Sequence, residues 1–326
     1  MPITADQAQW FAKNFQAMVD NVAIAIRGKN QVIELALTCL LSQGHLLLED
    51  NPGTGKTVLA KAVANTVAGT HSRIQFTPDL LPSDLTGVSV YDQRTQTFEF
   101  HKGPVFATIV LADEVNRASP KTQAALLEVM EENTVTVDGV KHEVGHPFMV
   151  VATQNPIEQA GTYRLPEAQL DRFMMKVSVG YPDHDVTVEL LNEAADRDRA
   201  SHVPAMVSTQ AVMQMSEFAN QTYVDPSILD YVSRLATASR SHPHVRLGLS
   251  TRGALAYIRV AKAWAVAHGR EYVIPDDIRS LAQPLMSHRL LLSAEAQFSG
   301  AKVDDVIAAL LTSVQAPTLR AEKASS

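Results

Sequence analysis

The sequence predicts an α/β chain in two parts, a parallel-sheet αβα core followed by an all-helical domain. Three observations carry that expectation. The apolar run Leu46-Leu47-Leu48 opens into a Gly/Pro loop and then a segment of helical spacing, the order strand, phosphate loop, helix. A second apolar run, Ala107-Thr108-Ile109-Val110-Leu111-Ala112, delivers Asp113 and Glu114 at its end. After Tyr181-Pro182-Asp183 no strand-like run is convincing and helical periodicity dominates. A core over 1–182 and a helical domain over 183–326 are therefore expected, the second ending in a frayed tail at 320–326.

Of 326 residues, 46% are hydrophobic and 19% charged, ample for a buried core and for two domains. The most apolar stretch, 32–48, is interrupted by Glu34, Gln43 and His45, so no membrane span is expected. No basic region leads into an apolar one at the N-terminus, which makes the cytoplasm the expected location. Cys39, in an apolar segment, reads as core and excludes a disulfide within the chain. A net charge of −7 argues against a sequence-independent grip on nucleic acid. His142, His146, His242 and His244 lack further ligands at metal spacing and read as surface residues.

Taken in order, 11–41 reads as helical with a break at Arg27-Gly28-Lys29-Asn30. Val22, Ile26 and Ile33 stand where a nucleotide base packs, or equally as plain core. The loop Asp50-Asn51-Pro52-Gly53-Thr54-Gly55-Lys56-Thr57-Val58 comes next. Its small residues let successive N–H groups turn around phosphate oxygens, and the following helix presents its positive end to the same anion. Lys56 is placed for β- and γ-phosphates, and the Thr57 hydroxyl for Mg2+. Asp50 departs from the usual pattern, which has glycine there; Asp tolerates turn conformations, so a variant loop is expected.

The loop helix keeps Val58, Leu59, Ala62, Val63 and Val67 on one face until Gly69, and a strand is expected over 73–77. Alternation of Val90, Phe98 and Phe100 predicts an inserted hairpin at about 88–100. At the end of the second apolar strand, Asp113 suits Mg2+ coordination, and Glu114 suits orienting and polarising a water. Ser119-Pro120 starts a helix to Glu132. A second hairpin at about 134–144 turns at Asp138-Gly139.

A buried strand at 148–153 leads to Asn155, which either senses a γ-phosphate or belongs to an ordinary Asn-Pro turn. The short helix at 165–173 has Arg172 near its end, with Asp171 and Glu167 as alternative partners for it, and a fifth strand follows at 174–179. Later, Ser250 caps a helix over 251–268. That puts Arg252 in the first turn, where the helix dipole disfavours a cation, so a phosphate is an attractive partner for it. Further helices are expected from Thr209, Asp225-Pro226 and Ile274-Pro275, and over 303–314.

The motifs at 50–57, Leu111-Ala112-Asp113-Glu114-Val115-Asn116-Arg117-Ala118, Ala152-Thr153-Gln154-Asn155-Pro156 and 165–173 together resemble the MoxR family of AAA+ ATPases, over roughly 22–290. The resemblance implies a P-loop NTPase core with a helix-2 insert and a pre-sensor-1 hairpin, a helical lid, and assembly into rings, usually hexamers. It assigns Lys56 and Thr57 to Walker A, Asp113 and Glu114 to Walker B, and Asn155 to sensor 1. Arg172 aligns with the arginine finger, with Arg117 as a second candidate. Arg252 aligns with sensor 2, although Thr251 and Gly253 depart from the usual Pro and Ala. ATP and Mg2+ are the implied cofactors. Self-association, client proteins and a von Willebrand factor A domain protein are the implied partners, in chaperone-like remodelling or activation. A nucleic-acid motor of the related magnesium chelatase and helicase branch is the alternative within enzymes; a low-turnover nucleotide switch is the alternative outside them.

Overall fold

The structure is a computed structural model describing residues 2–50, 53–154, 163, 165–192 and 198–318. It divides into two compact units, residues 13–216 and residues 1–12 with 217–326. The division differs from the boundary expected near 182. Helix His184–Asn192 and the 3-10 turn Arg199–His202 stay with the first unit, because the turn packs on the helix that follows the phosphate loop.

The first unit begins with α1 (Ala5–Ala23), whose first residues group with the other unit, and α2 (Asn30–Leu41). Then come β1 (Leu46–Glu49), α3 (Lys56–Thr66), β2 (His71–Gln75), α4 (Pro82–Thr86), β3 (Gly87–Asp92) and β4 (Thr97–Lys102). β5 (Ile109–Asp113), α5 (Pro120–Glu132), β6 (Thr134–Val137), β7 (Val140–Glu143), β8 (Met149–Gln154), α6 (Glu167–Leu170), β9 (Met175–Val177) and α7 (His184–Asn192) complete it. Five strands form one parallel sheet in the order β2-β5-β8-β1-β9. Leu47, Val110, Ala112, Val150 and Ala152 share a core with Leu126, Leu127 and Met130 of α5. Their alternates Leu46, Leu48, Ile109, Leu111 and Val151 are buried as well. Both faces are thus covered, as continuous apolar strands of a parallel sheet require.

His45 secures one end of this sheet. Its Nδ1 accepts from the Val150 N–H at 3.0 Å, so the proton sits on Nε2, which donates to the Met130 carbonyl at 2.9 Å. Burial pushes its pKa down to about 4.

Both expected hairpins are present. β3 and β4 pair antiparallel over 87–102, and their exposed side chains include Val90, Tyr91 and Phe98. β6 and β7 turn at Asp138 (φ 50°) and Gly139 (φ 79°), the left-handed pair that a tight hairpin needs. The Phe100 ring of β4 stacks on the His142 ring of β7 at 4.0 Å, joining the two hairpins.

The second unit contains α8 (Thr209–Gln221) from Glu217 onward, α9 (Pro226–Ser241), β10 (Val245–Leu247), α10 (Thr251–Ala267), α11 (Pro275–Ser280), α12 (Ala282–Met286), β11 (Leu291–Leu292), α13 (Ala294–Phe298) and α14 (Val303–Ser313). It is helical as expected except for the antiparallel pair β10–β11, too short to register as a periodic run. The expected tail at 320–326 lies outside the described residues. Among the described residues no helix is long and apolar enough to cross a membrane.

Candidate active site

The loop after β1 turns on two glycines with left-handed φ, Gly53 at 83° and Gly55 at 92°. Gly55 directly precedes α3, so the N–H groups of the first helical turn, which have no acceptor within the helix, open onto the loop. A Cβ on Gly55 would be strained at that φ and would also stand 3.4 Å from Ile26. Lys56 Nζ donates to the Asp50 carbonyl at 2.8 Å.

β8 lies between β1 and β5 in the sheet, so its end separates the phosphate loop from the two acids. Thr153 occupies that place. Its hydroxyl donates to Asp113 Oδ1 at 2.5 Å and accepts the Glu114 N–H at 2.9 Å. The other oxygen of buried Asp113 accepts from Arg73 at 2.7 Å. Glu114 has left-handed backbone, φ 57°, which turns its side chain out of the strand direction. There its Oε2 accepts from Gln75 Nε2 at 2.7 Å and from Arg117 at 3.0 Å.

Residues 53–58, Arg73, Gln75, Asp113, Glu114, Thr153 and Gln154 line one cavity of about 440 Å3. A second cavity of about 300 Å3 shares Gly53, Thr54, Gly55 and Val58 and is also lined by Ala25, Ile26, Val179 and Gly180 and by the cationic Arg27, Lys29 and Arg199. Of the three apolar residues expected near a base, Ile26 lines this cavity, while Val22 and Ile33 are core. Among the described residues no cluster of three or more His, Cys, Asp or Glu could hold a metal by itself. One hydroxyl, Thr57, and one carboxylate, Asp113, on a shared cavity suit Mg2+, which keeps waters and takes its other ligands from phosphates.

Asp50 lines neither cavity; its carboxylate is turned to the end of β9, where it accepts from Ser178, Val179 and Gly180. Asn51, Pro52 and Asn155 lie outside the described residues. Arg172 pairs with Glu131 of α5 at 3.0 Å. Arg252 is the second residue of α10, in the other unit, whose N-cap Ser250 accepts the Gly253 N–H at 2.9 Å.

Sequence reasoning missed Arg73, Gln75 and Thr153. Arg73 and Gln75 are paired with Leu111 and Asp113 of β5 in the sheet register. The i, i+2 spacing of two long polar residues was visible, but which strand lay beside β5 was not.

Known proteins place this geometry in a family. Residues 45–175 match the ATPase family associated with various cellular activities (AAA), and 237–310 match the AAA lid domain. Chaperone MoxR1 of Mycobacterium tuberculosis is 40% identical, over 91% of this chain and 80% of its own. Protein MoxR of Paracoccus denitrificans is 30% identical, over 88% and 91%. A crystal structure from Cytophaga hutchinsonii, described as that of an ATPase candidate, superposes with a TM-score of 0.89 at 37% identity, covering 95% of this chain and 97% of that one. With the parallel sheet, the phosphate loop and the helical lid all in common, the chain belongs to the MoxR family of AAA ATPases.

Proposed function

We propose that the chain hydrolyses Mg2+-bound ATP and uses the cycle to remodel or activate client proteins in the cytoplasm. In this reading it works as a ring, most simply a hexamer, with a von Willebrand factor A domain protein as partner. The observation that carries the ATPase reading is the convergence of residues 53–58 with Asp113 and Glu114 on one cavity. The remodelling role is supported by the relative named as a chaperone, and the ring and partner by the family resemblance.

The loop N–H groups and Lys56 would cradle the β- and γ-phosphates, Lys56 exchanging the Asp50 carbonyl for phosphate oxygen. Thr57 and Asp113 would hold Mg2+, which supplies charge neutralisation across the phosphates; Arg73 must then give up Asp113. Glu114 would orient the attacking water, its position set by Gln75 and Arg117. Arg172, with Arg117 as the second candidate, would reach a neighbouring subunit's γ-phosphate, each exchanging its present carboxylate partner, Glu131 or Glu114, for phosphate oxygen. Asn155 and Arg252 are assigned to sensing nucleotide.

The test is the ATPase rate against protein concentration, for the native chain and Glu114→Gln, with light scattering on the same samples. Specific activity should rise as rings form, and the variant should keep ATP bound without turnover. A monomer with a rate per chain independent of concentration would sink the shared-site mechanism.

A further inference from the structure

The carboxylate of Asp50 stands at a position where phosphate loops ordinarily carry glycine, yet Asp50 lines neither cavity. It is buried, and its partners are consecutive: the Ser178 hydroxyl at 2.9 Å, the Val179 N–H, and the Gly180 N–H at 3.2 and 3.3 Å. Gly180 has φ 65°, so the 178–180 backbone curls into a small concave cradle of donors closed on that carboxylate. The Asp50 main chain is held too, its N–H by the Gln154 carbonyl at 3.3 Å and its carbonyl by Lys56. Asp50 therefore fastens the segment after β9 to the phosphate loop.

That segment is a wall of the smaller cavity. Val179 and Gly180 line it together with Ile26 and with Gly53, Thr54 and Gly55 of the phosphate loop. The larger cavity, which holds the acids, contains no residue of 178–180. The carboxylate thus sets the wall of one compartment and leaves the other alone.

We propose that Asp50 is a positioning residue for the nucleoside: it fixes the Val179–Gly180 wall against which the base and ribose pack, without contributing to phosphate binding. This rests on the ATPase reading above. A glycine at position 50 would leave three donors without their acceptor, and the wall would be free to move from the loop. A charge-assisted cluster of this kind governs packing that only a base-bearing ligand experiences.

The test compares ADP with tripolyphosphate, both with Mg2+, by titration calorimetry on the full chain and on Asp50→Asn, Asp50→Gly and Ser178→Ala, with thermal melting to verify folding. ADP affinity should fall about tenfold in both Asp50 variants, while tripolyphosphate affinity stays within about twofold. Should the Asp50 variants fail to fold, Ser178→Ala carries the same expectation at about threefold for ADP and no change for tripolyphosphate. Equal weakening of both ligands would overturn the proposal and make Asp50 a support of the phosphate loop; unchanged ADP affinity would overturn it as well. A native chain that binds neither ligand would instead overturn the ATPase reading and this proposal with it.

Discussion

The hydroxyl of Thr153 donates to Asp113 and accepts from the Glu114 amide, so one neutral side chain fixes both acids at the end of β5. Thr153→Val keeps the shape and removes the hydroxyl. It should cost about 1–3 kcal/mol of stability for the buried groups left unpaired. Turnover should drop about tenfold or more with ADP affinity little altered, because the acids lose their alignment, and Thr153→Ser should restore most of it. Steady-state kinetics beside equilibrium binding would check this; an equal loss in both would mean that Thr153 acts only through folding. Arg73 poses the opposite case. Its guanidinium already neutralises Asp113 at 2.7 Å, so Arg73→Gln should lower the Mg2+ concentration needed for half-maximal ADP binding, read by Mg2+ titration at fixed ADP. A higher requirement would show that Arg73 itself grips phosphate.

At the scale of elements, the first turn of α10 leaves little room for a side chain at Gly253. A Cβ there would meet Leu249 Cδ1 at 2.6 Å and Arg289 Cδ at 2.9 Å, and both side chains are buried. Helix propensity favours alanine over glycine by about 1 kcal/mol, whereas overpacking costs about 1–3 kcal/mol. Gly253→Ala should therefore destabilise the chain on balance, with a lowered midpoint in denaturant; a raised midpoint would mean that Arg289 yields cheaply. The same glycine was visible in the sequence as a departure from the pattern the resemblance implies, but the crowding of Leu249 and Arg289 around it was not. Local signals fared better. The phosphate loop, the two acids, the Asp138-Gly139 turn and the Ser119 cap are each written within a few consecutive residues, and the elements formed as expected. Strand adjacency is a tertiary property, which kept Arg73, Gln75 and Thr153 out of view. So is the direction of Asp50, whose partners lie 128 to 130 residues away.

For the whole molecule, pH links the sheet to stability through His45. Its folded pKa is depressed to about 4, whereas an unfolded histidine titrates near 6.5. Between those values the unfolded chain binds the extra proton, so stability is intact above pH 6.5 and falls as pH drops toward 4, by about 3 kcal/mol from this residue alone. Melts at pH 7.5 and 5 for the native chain and His45→Gln should show the native chain losing more stability on acidification; parallel losses would assign the effect to other groups. Glu114 sets a different condition on the same fold. Its left-handed backbone is one that glycine adopts freely and glutamate at a cost of about 1 kcal/mol, and its partners Gln75 and Arg117 are solvent-accessible, so losing them costs little. A chain with glycine at 114 should thus be harder to unfold and unable to turn over ATP. In its proposed role as the acid that orients water, Glu114 would hold its place at a cost in robustness set by a single backbone angle.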